Sequence, residues 1–60
     1  MIEKYLTPDQ LAERWKMNVD TLRNWRSQGT GPAFVKLTDR MVRYRLEDVE
    51  QYERDREGSG

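Results

Sequence analysis

The stretch NVDTLRNWRSQG, Asn18 to Gly29, decides how this chain folds. Val19, Leu22 and Trp25 recur at helical spacing, Asn18 or Asp20 can cap the start, and Gly29 suits a left-handed cap at the end. On a wheel of about 100° per residue, Leu22 and Trp25 fall near one pole, and Asp20, Arg23, Asn24 and Ser27 near the other. One face wants a core. The opposite face is small, polar and able to make directional hydrogen bonds, with Arg26 on the flank between them.

Working outward, Thr7-Pro8-Asp9-Gln10 reads as an earlier helix start. Thr7 is the cap, Pro8 takes the first helical position, and Gln10 completes a capping box. Leu6 and Leu11 have the spacing of a hydrophobic staple, and Leu11, Ala12 and Trp15 share one face of a helix running to Lys16. Only Met17 and Asn18 part this helix from the next, so the two must cross steeply, as in a helix-turn-helix. After Gly29, Thr30-Gly31-Pro32 stops the helix. AFVKL (Ala33–Leu37) and MVRYR (Met41–Arg45) then read as a hairpin turning at Thr38-Asp39-Arg40, with Met41, Arg43 and Arg45 on one side and Val42 and Tyr44 on the other. Leu46, Val49 and Tyr52 start a third helix, with Glu47 and Asp48 in the turn where the helix dipole favours acid. The expected fold is α+β: two N-terminal helices, a two-stranded hairpin wing and a C-terminal helix, one domain over residues 1–57. Residues 58–60, Gly-Ser-Gly, have the composition of a flexible tail or of a linker left over from cloning.

Sixty residues bury only about 60% of the surface an unfolded chain exposes, which leaves little room for an enclosed substrate cavity. An enzyme is not expected. The chain has no cysteine and no histidine, so disulfides and the usual zinc ligands are absent, and no cofactor or metal is expected. No apolar run approaches the roughly 20 residues of a membrane span, and MIEKYLTPDQ lacks the core of a signal peptide, which points to the cytoplasm. The net charge is zero, yet it is unevenly spread. Between Lys16 and Arg45 seven basic residues face two acidic ones, whereas Glu47 to Glu57 holds six acidic residues and two arginines. Such a dipole can present a basic face to a polyanion and hold its acid away. A mixed, solvated surface is the alternative reading of the charge alone.

The outward face of the Val19–Gln28 helix suits base edges. Arginine matches the two acceptors of guanine, and asparagine matches the donor and acceptor of adenine. Arg23 and Asn24 are the leading base readers, with Asp20, Thr21 and Ser27 as secondary candidates. Lys16, Arg26, Lys36, Arg40, Arg43 and Arg45 form the set directed at phosphates or a neighbouring groove. Arg43 or Arg45 can instead pair with Glu47 or Asp48. Trp15, Trp25, Tyr44 and Tyr52 lie on apolar faces and are read as core, while Phe34 and Tyr5 are read as half-exposed. The carboxylates are read as helix-surface groups without a partner to shift their pKa values, and GTGP lacks the lysine and following helix of a nucleotide loop.

Four pieces, LTPDQLAERW, VDTLRNWRSQG, GPAFVKL and RYRLEDVEQY, stand in an order and spacing that resembles the small winged helix-turn-helix domains of phage and plasmid excisionases. These in turn are similar to the DNA-binding domain of MerR-type regulators. The resemblance implies that the Val19–Gln28 helix enters the major groove and the Ala33–Arg45 hairpin acts as a wing on the neighbouring backbone or minor groove. It further implies repeated sites on double-stranded DNA, cooperative self-association there, DNA bending, and a phage integrase partner biased toward excision in the nucleoid of a bacterial host. MerR-type regulators continue into a long dimerising helix, which this sequence does not carry past Tyr52. That favours an excisionase or a minimal regulator, roles that these residues do not separate. The excisionase is taken first, a small MerR- or AlpA-like transcriptional regulator as the alternative, and a protein-interaction module or a single-strand binder using Phe34 or Tyr5 as readings of other classes.

Overall fold

The computed structural model describes residues 4–58. In chain order the elements are β1 (Tyr5–Leu6), α1 (Pro8–Trp15), α2 (Val19–Gln28), β2 (Val35–Lys36), β3 (Val42–Arg45) and α3 (Leu46–Gly58). This is the α+β winged helix-turn-helix architecture expected from the sequence. Of the terminal stretch read as a tail, Ser59 and Gly60 lie outside the described residues.

Local chemistry sets both helix starts. The Thr7 hydroxyl accepts from the Gln10 N–H at 3.0 Å, and the Thr7 N–H donates to the Gln10 side chain at 2.9 Å. This box satisfies two donors that would otherwise be left over, and Pro8 sits where no donor is needed. Of the two caps the sequence allowed for α2, Asn18 takes the role, its side chain accepting from the Asp20 N–H at 2.8 Å. Both helices end in the same device. Lys16 (φ 56°, ψ 47°) and Gly29 (φ 75°, ψ 24°) are left-handed. The next residue's N–H then reaches back, Met17 to the Ala12 carbonyl at 2.9 Å and Thr30 to the Trp25 carbonyl at 2.8 Å.

The sheet has three antiparallel strands in the order β1-β3-β2, one more than the hairpin expected. Once β2 has paired with one edge of β3, the other edge is open, and Tyr5–Leu6 closes it, Tyr5 opposite Arg45 and Leu6 opposite Tyr44. The hairpin strands are shorter than the stretches 33–37 and 41–45 read from composition. Val35 stands opposite Arg43 and Lys36 opposite Val42, and the Leu37 N–H donates to the Met41 carbonyl at 2.8 Å beyond them. The Thr38 hydroxyl closes the tip by accepting from the N–H groups of Arg40 at 3.2 Å and Met41 at 3.1 Å.

The core takes its parts from every helix and from the central strand: Leu11 and Ala12 of α1, Leu22 of α2, Tyr44 of β3 and Val49 of α3 are buried. Leu6, Trp15, Met17, Val19, Trp25 and Val42 pack around them. Trp15, Trp25 and Tyr52, read as core, are half-buried, because so small a chain encloses Tyr44 but cannot enclose all of its rings. Tyr52 packs at a tilt against both indoles, its ring 5.5 Å from Trp15 and 6.4 Å from Trp25.

Candidate nucleic-acid interface

Residues directly opposite one another on paired strands share a face of the sheet. Leu6, Tyr44, Val42 and Lys36 therefore lie on the face that meets the helices, Tyr44 being buried there. Tyr5, Arg45, Arg43 and Val35 lie on the other face, and continuing the same register puts Met41 and Leu37 with them. The alternation expected within β3 is thus present, and it divides the basic wing residues into two sets.

One set borders a cleft of about 400 Å³ between α2 and the hairpin. Arg23, Arg26 and Ser27 line its helix wall, and Phe34, Lys36, Arg40 and Val42 its hairpin wall, with Asp39 the single acidic lining residue. Arg23, Ser27, Lys36 and Arg40 are exposed. Asp20 and Asn24 are exposed on the same helix, outside the cleft lining, and Thr21 is half-buried.

Arg26 has a second occupation that helical periodicity did not disclose. Its Nη1 donates to the hydroxyl of buried Tyr44 at 2.8 Å, and its guanidinium stands 6.0 Å from the Phe34 ring centre. The bond satisfies the one polar atom of a tyrosine that is only 1% exposed. It joins α2 to the hairpin. Arg43 donates to the carbonyl of its neighbour Val42 at 2.8 Å, and Arg45 lies 3.9 Å from Glu47, the ion-pair alternative read for it from the sequence. Lys16 stands at the end of α1, away from the cleft lining, 3.3 Å from Glu13.

The carboxylates require a correction. Glu53 of α3 accepts two bonds from Arg14, from Nε at 2.7 Å and Nη2 at 2.9 Å, and a third from the Trp15 indole N–H at 2.6 Å. Chiefly through the Arg14 hydrogen bond, and then that of Trp15, its pKa is lowered from about 4.5 to about 2, while that of Arg14 is raised. The group is a fastener between α1 and α3. A partner lying 39 residues away gives no local signal, although Arg14-Trp15 and Tyr52-Glu53 each place a polar residue beside an aromatic one.

Among the described residues no group of three or more His, Cys, Asp or Glu is placed to hold a metal ion, and no helix is long and apolar enough to cross a membrane. What the fold does present is a capped helix with a polar outer face, set by a tight turn on a supporting helix and flanked across a basic cleft by a hairpin. Those parts define a winged helix-turn-helix DNA-binding protein. Residues 5–57 match the family described as Helix-turn-helix domain, and the chain belongs to that family, which contains excisionase-like and AlpA-like small DNA-binding proteins. Membership supports sequence-specific DNA binding. No curated protein and no solved structure matches the chain at a significant level.

Proposed function

We propose that the chain reads a specific duplex sequence with α2 in the major groove and the β2–β3 hairpin as its wing, and that it serves as an excisionase-type architectural factor. The observation that carries the DNA-binding half is the cleft, whose cations stand on both walls, Arg23 on the helix and Lys36 and Arg40 on the hairpin, as a polyanionic strand requires. Arg23 and Asn24 read base edges, and Asp20, Thr21 and Ser27 assist them. Lys36 and Arg40 bind phosphate from the cleft side, Arg43 and Arg45 extend the basic surface on the far side of the wing, and Lys16 extends it at the end of α1. Arg26 lines the cleft while holding helix and wing in register. The domain is taken as residues 1–57, working without a cofactor or catalysis in a bacterial cytoplasm, at the nucleoid.

The excisionase role rests on the order of the four sequence pieces and on membership of a family that includes such proteins. In that role several copies associate on adjacent repeats, bend the DNA and bias a phage integrase toward excision. Small regulators of the AlpA kind occur in the same family and supply the second reading. Footprinting on the DNA flanking the gene distinguishes them. Adjacent direct repeats beside an attachment site support the excisionase, one palindrome over a promoter supports the regulator, and no protected duplex removes both.

A further inference from the structure

We propose that Leu37 and Met41 form an apolar wedge that enters the minor groove beside α2 and opens a base step there, so that sites are selected partly by how readily they deform. This rests on the duplex-binding reading above. With α2 in the major groove and one strand in the cleft, the next space across that strand is the minor groove, and the hairpin occupies it. The Lys36–Val42 face of the hairpin turns toward the strand in the cleft. The opposite face, carrying Leu37 and Met41, then looks into the groove.

Two observations make that face a wedge rather than a bystander. Leu37 is 51% exposed and Met41 40%, and the hydrogen bond between their backbones sets them side by side at the tip. Phosphate gives no cover to such a pair, whereas the faces of a partly unstacked base step do, and Leu and Met are among the side chains that serve in this way. Width argues the same. A B-form minor groove is about 6 Å across, and two paired strands stand about 4.8 Å apart before their side chains are counted. The hairpin fits only a widened groove, and widening is easiest where a pyrimidine–purine step unstacks readily. Arg40, between the two apolar residues in sequence and lining the cleft, holds the strand while they enter.

The test uses the full chain and a duplex of about one and a half helical turns per site, selected by it from randomised DNA, with fluorophores at the two ends and thymines probed by permanganate. The wild type should shorten the end-to-end distance and expose one thymine at a pyrimidine–purine step beside the α2 footprint. Leu37→Ala with Met41→Ala should keep the fold, the footprint and the salt dependence but lose most of the shortening and the reactive thymine. Met41→Leu should retain both. A wild type that binds without bending, or a double variant that bends equally, overturns the wedge alone. A double variant that bends normally but no longer associates with further copies overturns it too and assigns the pair to a protein contact. Failure of the wild type to select any duplex removes the DNA reading underneath.

Discussion

The two left-handed glycines show how far one residue's setting changes the meaning of one substitution. Gly29 and Gly31 both have positive φ, 75° and 83°, so a β-carbon strains either backbone. Around Gly29 the space is open, whereas a β-carbon on Gly31 would sit 2.7 Å from Trp25 Cε3 and 3.2 Å from Trp25 Cβ. Gly29→Ala should cost about 1 kcal/mol, the backbone share alone. Gly31→Ala should cost roughly 2–4 kcal/mol, because the Trp25 side chain or the turn that carries Gly31 must shift as well. Urea unfolding of the two variants measures the difference, and equal midpoints would mean that Trp25 does not pack beneath Gly31. Lys16 is the opposite case, a left-handed residue that is not glycine. Lys16→Gly should stabilise by about 0.5–1 kcal/mol while removing one cation from the end of α1.

At the scale of elements, two fasteners hold parts that local sequence does not connect. The Arg14–Glu53–Trp15 group ties α3 to α1. Because the folded-state pKa of Glu53 is depressed, its contribution is full above the ordinary value of about 4.5 and fades as pH falls toward about 2. Part of the pair is reached by water, so the contribution is about 1 kcal/mol. Glu53→Gln should lower the melting temperature at pH 6 and leave it nearly unchanged at pH 2, which a melting series across that range checks. The second fastener joins α2 to the wing. Tyr44→Phe keeps the buried ring but removes the acceptor of Arg26, and should cost about 1–2 kcal/mol in stability. Duplex affinity should fall with it at an unchanged salt slope, since no cation is lost. The same contrast explains what could be read in advance. Thr7-Pro8-Asp9-Gln10, Asn18 and Gly29 act on backbone groups within a few residues, so the helix ends were legible. β1 was not, since Tyr5–Leu6 is a strand only because the edge of β3 lies beside it. The outward face of α2 was legible by periodicity, but the attachment of Arg26 was not, its partner standing 18 residues on in another element.

Over the whole molecule, a chain of zero net charge can bind a polyanion only if its charges are sorted, and the fold sorts them. The cleft gathers Arg23, Arg26, Lys36 and Arg40 against Asp39 alone, while the acid-rich α3, which contributes no residue to the cleft lining, is fastened to α1 through Glu53. Binding should therefore weaken steeply with salt despite the balanced composition, and single substitutions should separate the two kinds of contact. Arg40 stands exposed on the wing, and in the proposed role it offers a charge to phosphate whatever the sequence. Arg40→Ala should weaken selected and unrelated duplexes alike and reduce the slope of log affinity against log salt by about one. Arg23, on the helix wall, is the proposed base reader. Arg23→Ala should cost roughly 1–3 kcal/mol on the selected duplex, much less on an unrelated one, and relax preference at one base pair. Titrations of both variants at several salt concentrations, each on the selected and a scrambled duplex, check the pair. If Arg23→Ala proves indifferent to sequence, α2 holds the backbone rather than reading bases, and recognition then falls to the wing and to the deformability of the DNA beneath it.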